Sequence, residues 1–263
     1  MNKKTRRTKI IATIGPASKD FSTLKQLILA GVDIFRFNLK HSTLAAHGRN
    51  INRARKAALE QDKTIQILID LPSSSFLEGI DLAIQKKPEY IALSHIKKAS
   101  EIMKFKKIIY KIKLSTNIIA KIETSAALNQ LALILDEVES LMVARGDLGK
   151  SIPVEQVPFV QKEIVLACKG VDKMVIVATE MLLSMVSNKK PTRAEASDVA
   201  NAVLEGSNAV MLSEETAIGK NPVESVKIMD KIISEAESWQ KLGHLHIFSV
   251  KNKKFKFGAY SQK

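Results

Sequence analysis

Asn117-Ile118-Ile119-Ala120-Lys121-Ile122-Glu123, then an amphipathic stretch from Ser125 to Asp136, then Ser140-Leu141-Met142-Val143-Ala144-Arg145-Gly146-Asp147-Leu148-Gly149, decide the fold. Each apolar run is too short for a helix and ends in charged residues. Continuous apolar strands separated by helices imply a parallel sheet covered on its outside. The charges close the runs instead of alternating through them. Lys121 and Glu123 are two apart, so in a strand they share one face. Arg145 and Asp147 follow the next strand, beside two glycines that leave the backbone accessible. Glu123 and Asp147, on neighbouring strand ends, can share a hard cation such as Mg²⁺, with water and substrate oxygens completing the shell. A rim ion pair with Lys121 or Arg145 is the structural alternative.

The same alternation extends in both directions. Strands are predicted at Lys9 to Gly15, Asp33 to Asn38, Ile65 to Asp70, Tyr90 to Ile96, Asn117 to Glu123, Ser140 to Ala144, Met174 to Thr179 and Ala209 to Ser213. Helices are predicted at Asp20 to Ala30, Ser42 to Gln61, Gly79 to Lys87, Ala99 to Lys113, Ser125 to Asp136, Val154 to Lys169, Arg193 to Glu205 and Pro222 to Trp239. Eight strand–helix units predict a single (β/α)₈ TIM barrel over residues 1–239, with a short basic tail at 240–263. In such a barrel the carboxyl ends of the strands carry the chemistry. Arg36, Asn38, Asp70, Ser94, Lys121, Glu123, Arg145, Asp147, Thr179 and Ser213 to Glu215 all fall there.

Bulk composition narrows the function classes. The chain of 263 residues is 45% hydrophobic and 26% charged, as in ordinary globular proteins. Its single cysteine, Cys168, excludes an internal disulfide and fits a reducing compartment. It lies in a helical run, as a buried structural thiol would. No apolar run is long enough to span a bilayer, and no signal-peptide core follows the basic start. A cytoplasmic protein without membrane partners is expected. The net charge of +14 raises the question of nucleic acid. The lysines are dispersed, aromatics make up only 5% of residues, and no nucleic-acid motif occurs. A field that draws anionic substrates explains the charge without a nucleic-acid partner.

Several motifs, in order, resemble the pyruvate kinase family. They are Thr13-Ile14-Gly15-Pro16-Ala17-Ser18, Arg36-Phe37-Asn38-Leu39-Lys40-His41, Lys121-Ile122-Glu123, Val143 to Gly149, Ala178-Thr179-Glu180-Met181, Pro191 to Ala202 and Met211 to Ala217. The resemblance covers roughly residues 5 to 238. It implies a barrel that binds phosphoenolpyruvate or pyruvate with Mg²⁺ or Mn²⁺, and ADP or ATP as the second substrate. Lys121 then matches the lysine that stabilises charge on the phosphoryl group and enolate, and Glu123 and Asp147 the metal ligands. Arg145, Gly146 and Asp147 match the cradle of the substrate carboxylate. Thr179 matches the threonine beside the enolate, Arg36 the phosphoryl-contacting arginine, and His41 a histidine near the nucleotide. No catalytic role is carried over for Pro191 to Ala202. A homo-oligomer is compatible with the resemblance.

The departures are specific too. The family's small β-rich lid, inserted after the third strand, is missing, because only Leu71 to Glu78 separate Asp70 from Gly79. The residues after Trp239 are not expected to hold a counterpart of the family's C-terminal regulatory domain. Phosphoryl transfer is therefore expected to be weak. A nucleotide-free, metal-dependent keto-acid lyase or decarboxylase, or a non-catalytic relative, are the alternatives. Lys40 stands where the family has a potassium-binding serine, while Asn38 and Asp70 of that site are kept. Either Lys40 turns inward beside Asp70 and replaces potassium, which would then not be required, or it faces solvent. His95, Lys97, Glu180 and Glu214 replace a phenylalanine, an arginine, a glutamine and a glycine. His244-Leu245-His246 has same-face spacing but no further ligand.

Overall fold

The computed structural model describes residues 6–72 and 76–241. Eight parallel strands close into a barrel in sequence order: β1 (Lys9–Thr13), β2 (Ile34–Asn38), β3 (Gln66–Leu71), β4 (Tyr90–Leu93), β5 (Asn117–Ile122), β6 (Ser140–Ala144), β7 (Met174–Ala178) and β8 (Ala209–Leu212). Around them lie α1 (Phe21–Ala30), α2 (Leu44–Leu59), α3 (Phe76–Lys86), α4 (Ala99–Lys111), α5 (Ser125–Leu128), α6 (Leu131–Glu137), α7 (Arg145–Ser151), α8 (Val157–Gly170), α9 (Arg193–Glu205), α10 (Glu214–Ala217) and α11 (Pro222–Lys241). No strand outside the barrel occurs among the described residues. None of the described helices is long and apolar enough to cross a membrane.

Two apolar layers follow from the two faces of each strand. Ile11, Ile34, Leu68, Tyr90, Ala92, Ile119, Met142, Ile176, Ala178, Ala209 and Met211 fill the barrel interior. The intervening residues, Phe35, Phe37, Ile67 and Ile69 among them, pack outward against the helices. Local chemistry sets the helix limits. Thr192 and Glu195 form a reciprocal capping box at the start of α9, and Gly206 ends it in the left-handed conformation with φ 111°. At the floor of the barrel, Glu237 of α11 accepts from the backbone amides of Arg7 and Thr8, which ties the last helix to the entry of β1.

The structure differs from expectation at several boundaries. The helix expected from Ser125 to Asp136 is two helices, because the chain leaves helical geometry at Gln130, with φ −115° and ψ 13°. Thr124 caps the first piece by accepting from the Ala127 amide. α3 begins three residues before the expected Gly79. α7 and α10 are additional short helices opening directly from the ends of β6 and β8. α11 runs to Lys241, two residues past Trp239, so the expected tail begins as helix. The rest of the expected tail, residues 242–263, including the His244–His246 pair, lies outside the described residues.

Cys168 is buried, and burial pushes its thiol up to about 12. A thiol so protonated is a packing group and not a nucleophile.

Candidate active site

Each strand carries an inward column with a period of two, and the columns change character on the way up. Above Ile11 stands Thr13; above Ile34, Arg36 and Asn38; above Leu68, Asp70. Above Ala92 stands Ser94, above Ile119 are Lys121 and Glu123, and above Met211 is Ser213. The register keeps these at neighbouring heights, with Thr13 opposite Arg36 and Asn38 opposite Asp70. The alternation that buries aliphatic residues in the barrel therefore delivers polar ones to its carboxyl-terminal mouth.

Four of them form a buried chain of alternating charge. Arg36 Nε and Nη2 lie 2.9 and 2.8 Å from Asp70 Oδ2, and Nη1 donates to Thr13 Oγ1 at 3.0 Å. Lys121 Nζ is 3.4 Å from both Asp70 oxygens and donates to Ser94 Oγ at 2.8 Å. Ser94 Oγ in turn donates to Asp70 Oδ1 at 3.0 Å. Burial pushes the Asp70 carboxyl up, but Arg36, Lys121 and the hydrogen bonds from Arg36 and Ser94 outweigh it and hold the group below the usual carboxylate range. Lys121 Nζ also lies 2.8 Å from Glu123 Oε1. That approach is off the hydrogen-bond direction, so Oε1 is a buried acceptor without a hydrogen bond. Glu123 Oε2 accepts from the His95 amide at 2.5 Å.

The β6 and β7 ends supply the other side. Asp147 sits in the first turn of α7, its side chain 47% exposed, and Lys150 Nζ is 2.9 Å from its Oδ1. That hydrogen bond holds the Asp147 carboxyl below its ordinary range against an opposing push from burial. Thr179 has φ 69° and Glu180 φ 53°. A β-branched residue in the left-handed region is strained by roughly 1–3 kcal/mol. Thr179 Oγ1 accepts from the Gly146 amide at 2.8 Å and donates to Ala178 O at 2.5 Å.

A cavity of about 220 Å³ is lined by Arg36, Asn38, Lys40, His41, Ser94, His95, Lys121, Glu123, Asp147, Thr179, Ser213 and Glu214, among others. A neighbouring one of about 410 Å³ shares Arg36, Asn38, His41, Ser213 and Glu214, and adds Lys19, His47 and Asn50. Lys121, Glu123, Asp147, Thr179 and Arg36 thus meet at one place. Asp70 lies beneath it, 1% exposed.

Two expected contacts do not form. Lys40 is exposed, and Asp70 is taken by Arg36 and Lys121 instead. The structural reason for replacing potassium with Lys40 falls with that contact. Arg145 does not line the cavity. Its guanidinium is committed to Thr179 O at 2.6 Å, Ala178 O at 3.3 Å and Asp198 at 2.7 Å. Gly146 is likewise engaged, through its amide, with Thr179. His41 is exposed at the join of the two cavities, and its carbonyl meets His47 Nε2 at 2.5 Å. Sequence reasoning missed Thr13 as the partner of Arg36, although its inward parity marks it. It also missed Asp198, which no local signal reveals.

Comparison with known proteins settles the ancestry of this barrel. The family described as "Pyruvate kinase, barrel domain" matches residues 5–78 and 74–226. The chain belongs to the pyruvate kinase family. A pyruvate kinase from Thermococcus litoralis is 31% identical over 89% of this chain and 70% of its own length. One from Bacillus licheniformis is 30% identical over 94% of this chain and 60% of the relative. One from Thermotoga maritima is 46% identical over 61% of this chain and 34% of the relative. This chain thus spans well under the full length of these pyruvate kinases. The first two alignments run over 335 and 351 positions, more than the 263 residues present, so those pyruvate kinases carry internal sequence that this chain lacks. The family match comes in two pieces that overlap at 74–78, around the start of α3.

The pair Glu123 and Asp147 fits a hard divalent cation. Glu123 Oε1 is a buried carboxylate oxygen without a hydrogen bond, beside the Lys121 ammonium at 2.8 Å, and the Asp147 carboxylate pairs with Lys150, whose side chain is 79% exposed. No group of three or more His, Cys, Asp or Glu converges among the described residues. The protein would supply two ligands, and water and substrate the others.

Proposed function

We propose that the smaller cavity binds pyruvate or phosphoenolpyruvate beside Mg²⁺ or Mn²⁺, and that the protein carries out pyruvate-kinase-type phosphoryl transfer between phosphoenolpyruvate and ADP. The observation that carries this reading is the convergence of Lys121, Glu123, Asp147 and Thr179 on that cavity. A divalent cation bound by Glu123 and Asp147 would supply electrostatic stabilisation of the ligand oxygens. Lys121, fixed by Ser94 and Asp70, presents its ammonium where negative charge develops on the enolate or phosphoryl oxygens. Arg36 lines both cavities, its guanidinium oriented by Asp70 and Thr13, and so faces the group in transit. The amides of Gly146 and Asp147 open α7, where backbone donors lack helical partners. An entering carboxylate meets the Asp147 amide there, beside Thr179, whose hydroxyl holds the Gly146 amide in place. The larger cavity would take the nucleotide.

The internal sequence that the relatives have and this chain lacks bears on rate. Closing elements exclude water and complete such sites. Turnover is therefore expected to be slow. The same observation favours a second reading, metal-dependent cleavage or decarboxylation of a keto acid through its enolate, which needs no nucleotide. A coupled assay separates the two. ADP-dependent release of pyruvate from phosphoenolpyruvate, with matching ATP, is the expected result. Consumption of oxaloacetate without nucleotide, in the absence of any phosphoenolpyruvate turnover, would replace the first reading by the second. Ligand binding with no turnover of either would leave a non-catalytic relative.

Glu214 sets the nucleotide prediction. It is exposed and lines both cavities, where it places a negative charge in the path of phosphates. At such a site the repulsion is on the order of 1 kcal/mol. Glu214→Gly should tighten ADP several-fold in equilibrium binding, with the gain shrinking as salt rises. An unchanged affinity would place ADP elsewhere.

A further inference from the structure

The segment that follows β7 is clamped from three directions. Arg145 donates from Nη2 to Thr179 O at 2.6 Å and from Nε to Thr179 O and Ala178 O, both at 3.3 Å. Asp198 of α9 holds that guanidinium, with both carboxylate oxygens 2.7 Å from Nη1. Gln161 of α8 adds a 3.4 Å contact and is itself bonded to Glu205. Farther along, Glu195 of α9 accepts from the Ser184 amide and hydroxyl, both at 2.6 Å. Glu215 accepts from the Leu182 amide at 3.0 Å and the Ser213 amide at 2.7 Å. The motif Pro191 to Ala202, without a role so far, thus supplies two of the clamping carboxylates.

A left-handed β-branched residue persists only where its surroundings over-determine it. Thr179 is such a residue, with φ 69°, and Glu180 after it is left-handed as well, with φ 53°. The contacts that hold the Thr179 carbonyl pass through Arg145, whose charged partner is Asp198, while its hydroxyl is held between the Gly146 amide and Ala178 O. We propose that Asp198 is a positioning residue. Acting through Arg145, it locks Thr179 in its left-handed turn, with the hydroxyl on the Gly146 amide, and so sets the anion-receiving side of the cavity. The inference rests on the reading of Thr179 as a contact for the bound keto acid. Its structural half stands apart from that reading, because the conformation of Thr179 can be observed without ligand.

The test uses Asp198→Ala and the milder Asp198→Asn, which retains one acceptor oxygen for Arg145. Mn²⁺ affinity alone, oxalate affinity in the presence of Mn²⁺, and the backbone conformation of Thr179 in a crystal structure are measured for each. Oxalate binding to Asp198→Ala should weaken roughly 10- to 100-fold, the scale that a misplacement of about 1 Å brings. Mn²⁺ affinity should stay within about twofold, since Asp198 does not line the cavity. Thr179 should relax to negative φ in Asp198→Ala, and Asp198→Asn should lose less oxalate affinity. A Thr179 that keeps its positive φ in both variants would overturn the proposal, as would oxalate and Mn²⁺ affinities that fall together. Wild-type protein that fails to bind oxalate refutes the underlying reading. Wild-type binding with no loss in either variant refutes this inference alone.

Discussion

Asp70→Ala should be the most destabilising single change in the barrel, lowering stability by roughly 3–5 kcal/mol because a buried counter-charge is lost. For a domain of this size that is a fall in Tm of roughly 6–20 °C. Asp70 is 1% exposed and is the anion between Arg36 and Lys121. Lys121 would still have Glu123 at 2.8 Å, but Arg36 would keep only the Thr13 hydroxyl among its polar contacts near the mouth. The same carboxylate fixes an acid limit. Its folded-state pKa lies below the unfolded value of 3.8, so its contribution is complete above that value and is lost as pH falls through the folded one. Wild type should therefore lose stability steeply below about pH 4, and Asp70→Ala should lose less over that window. Parallel acid profiles for the two proteins would remove Asp70 from the explanation.

Lys121→Met should lower kcat by roughly 10²–10³-fold while leaving metal binding in place, the loss typical of removing one preorganised charge-stabilising group. Methionine retains length and apolar bulk, so Ser94 and Asp70 lose a donor without a cavity opening. Asp70 keeps Arg36, which limits the cost to folding. Lys121→Arg is the informative control. It preserves charge but not the compact ammonium that reaches Ser94 and Glu123 together, both at 2.8 Å, and should recover only part of the rate. Activity within tenfold of wild type in Lys121→Met would assign charge stabilisation to another group.

Much of this site was legible because strand periodicity and barrel closure are both local rules. The inward parity of Ile34–Arg36, Leu68–Asp70 and Ile119–Lys121 follows from spacing alone, and the family motifs add which of these residues matter. What spacing does not encode is where a long side chain goes once several partners compete. Lys40 and Lys121 were both available to Asp70. Lys121 rises from an inward position on β5, whereas Lys40 follows the end of β2 in a turn that faces water. Arg145 follows a strand end, as a substrate ligand would, yet its guanidinium goes to the Ala178 carbonyl at the end of β7, to the Thr179 carbonyl just after it, and to Asp198, 53 residues away. The split of α5 from α6 was hidden for a related reason. The apolar spacing continues through Asn129 and Gln130, and only the backbone records the break.

Mn²⁺ titration in the presence of oxalate, an enolate mimic, tests the cavity most directly. Wild type should bind Mn²⁺ and hold it more tightly when oxalate is added, because Glu123, Asp147 and the ligand oxygens share one coordination shell. The Glu123→Ala/Asp147→Ala double variant should lose both effects, by more than the roughly 10–100-fold that removal of a supporting contact brings. Unchanged binding of Mn²⁺ and oxalate in the double variant would contradict the assignment of the metal and the keto acid to this end of the barrel.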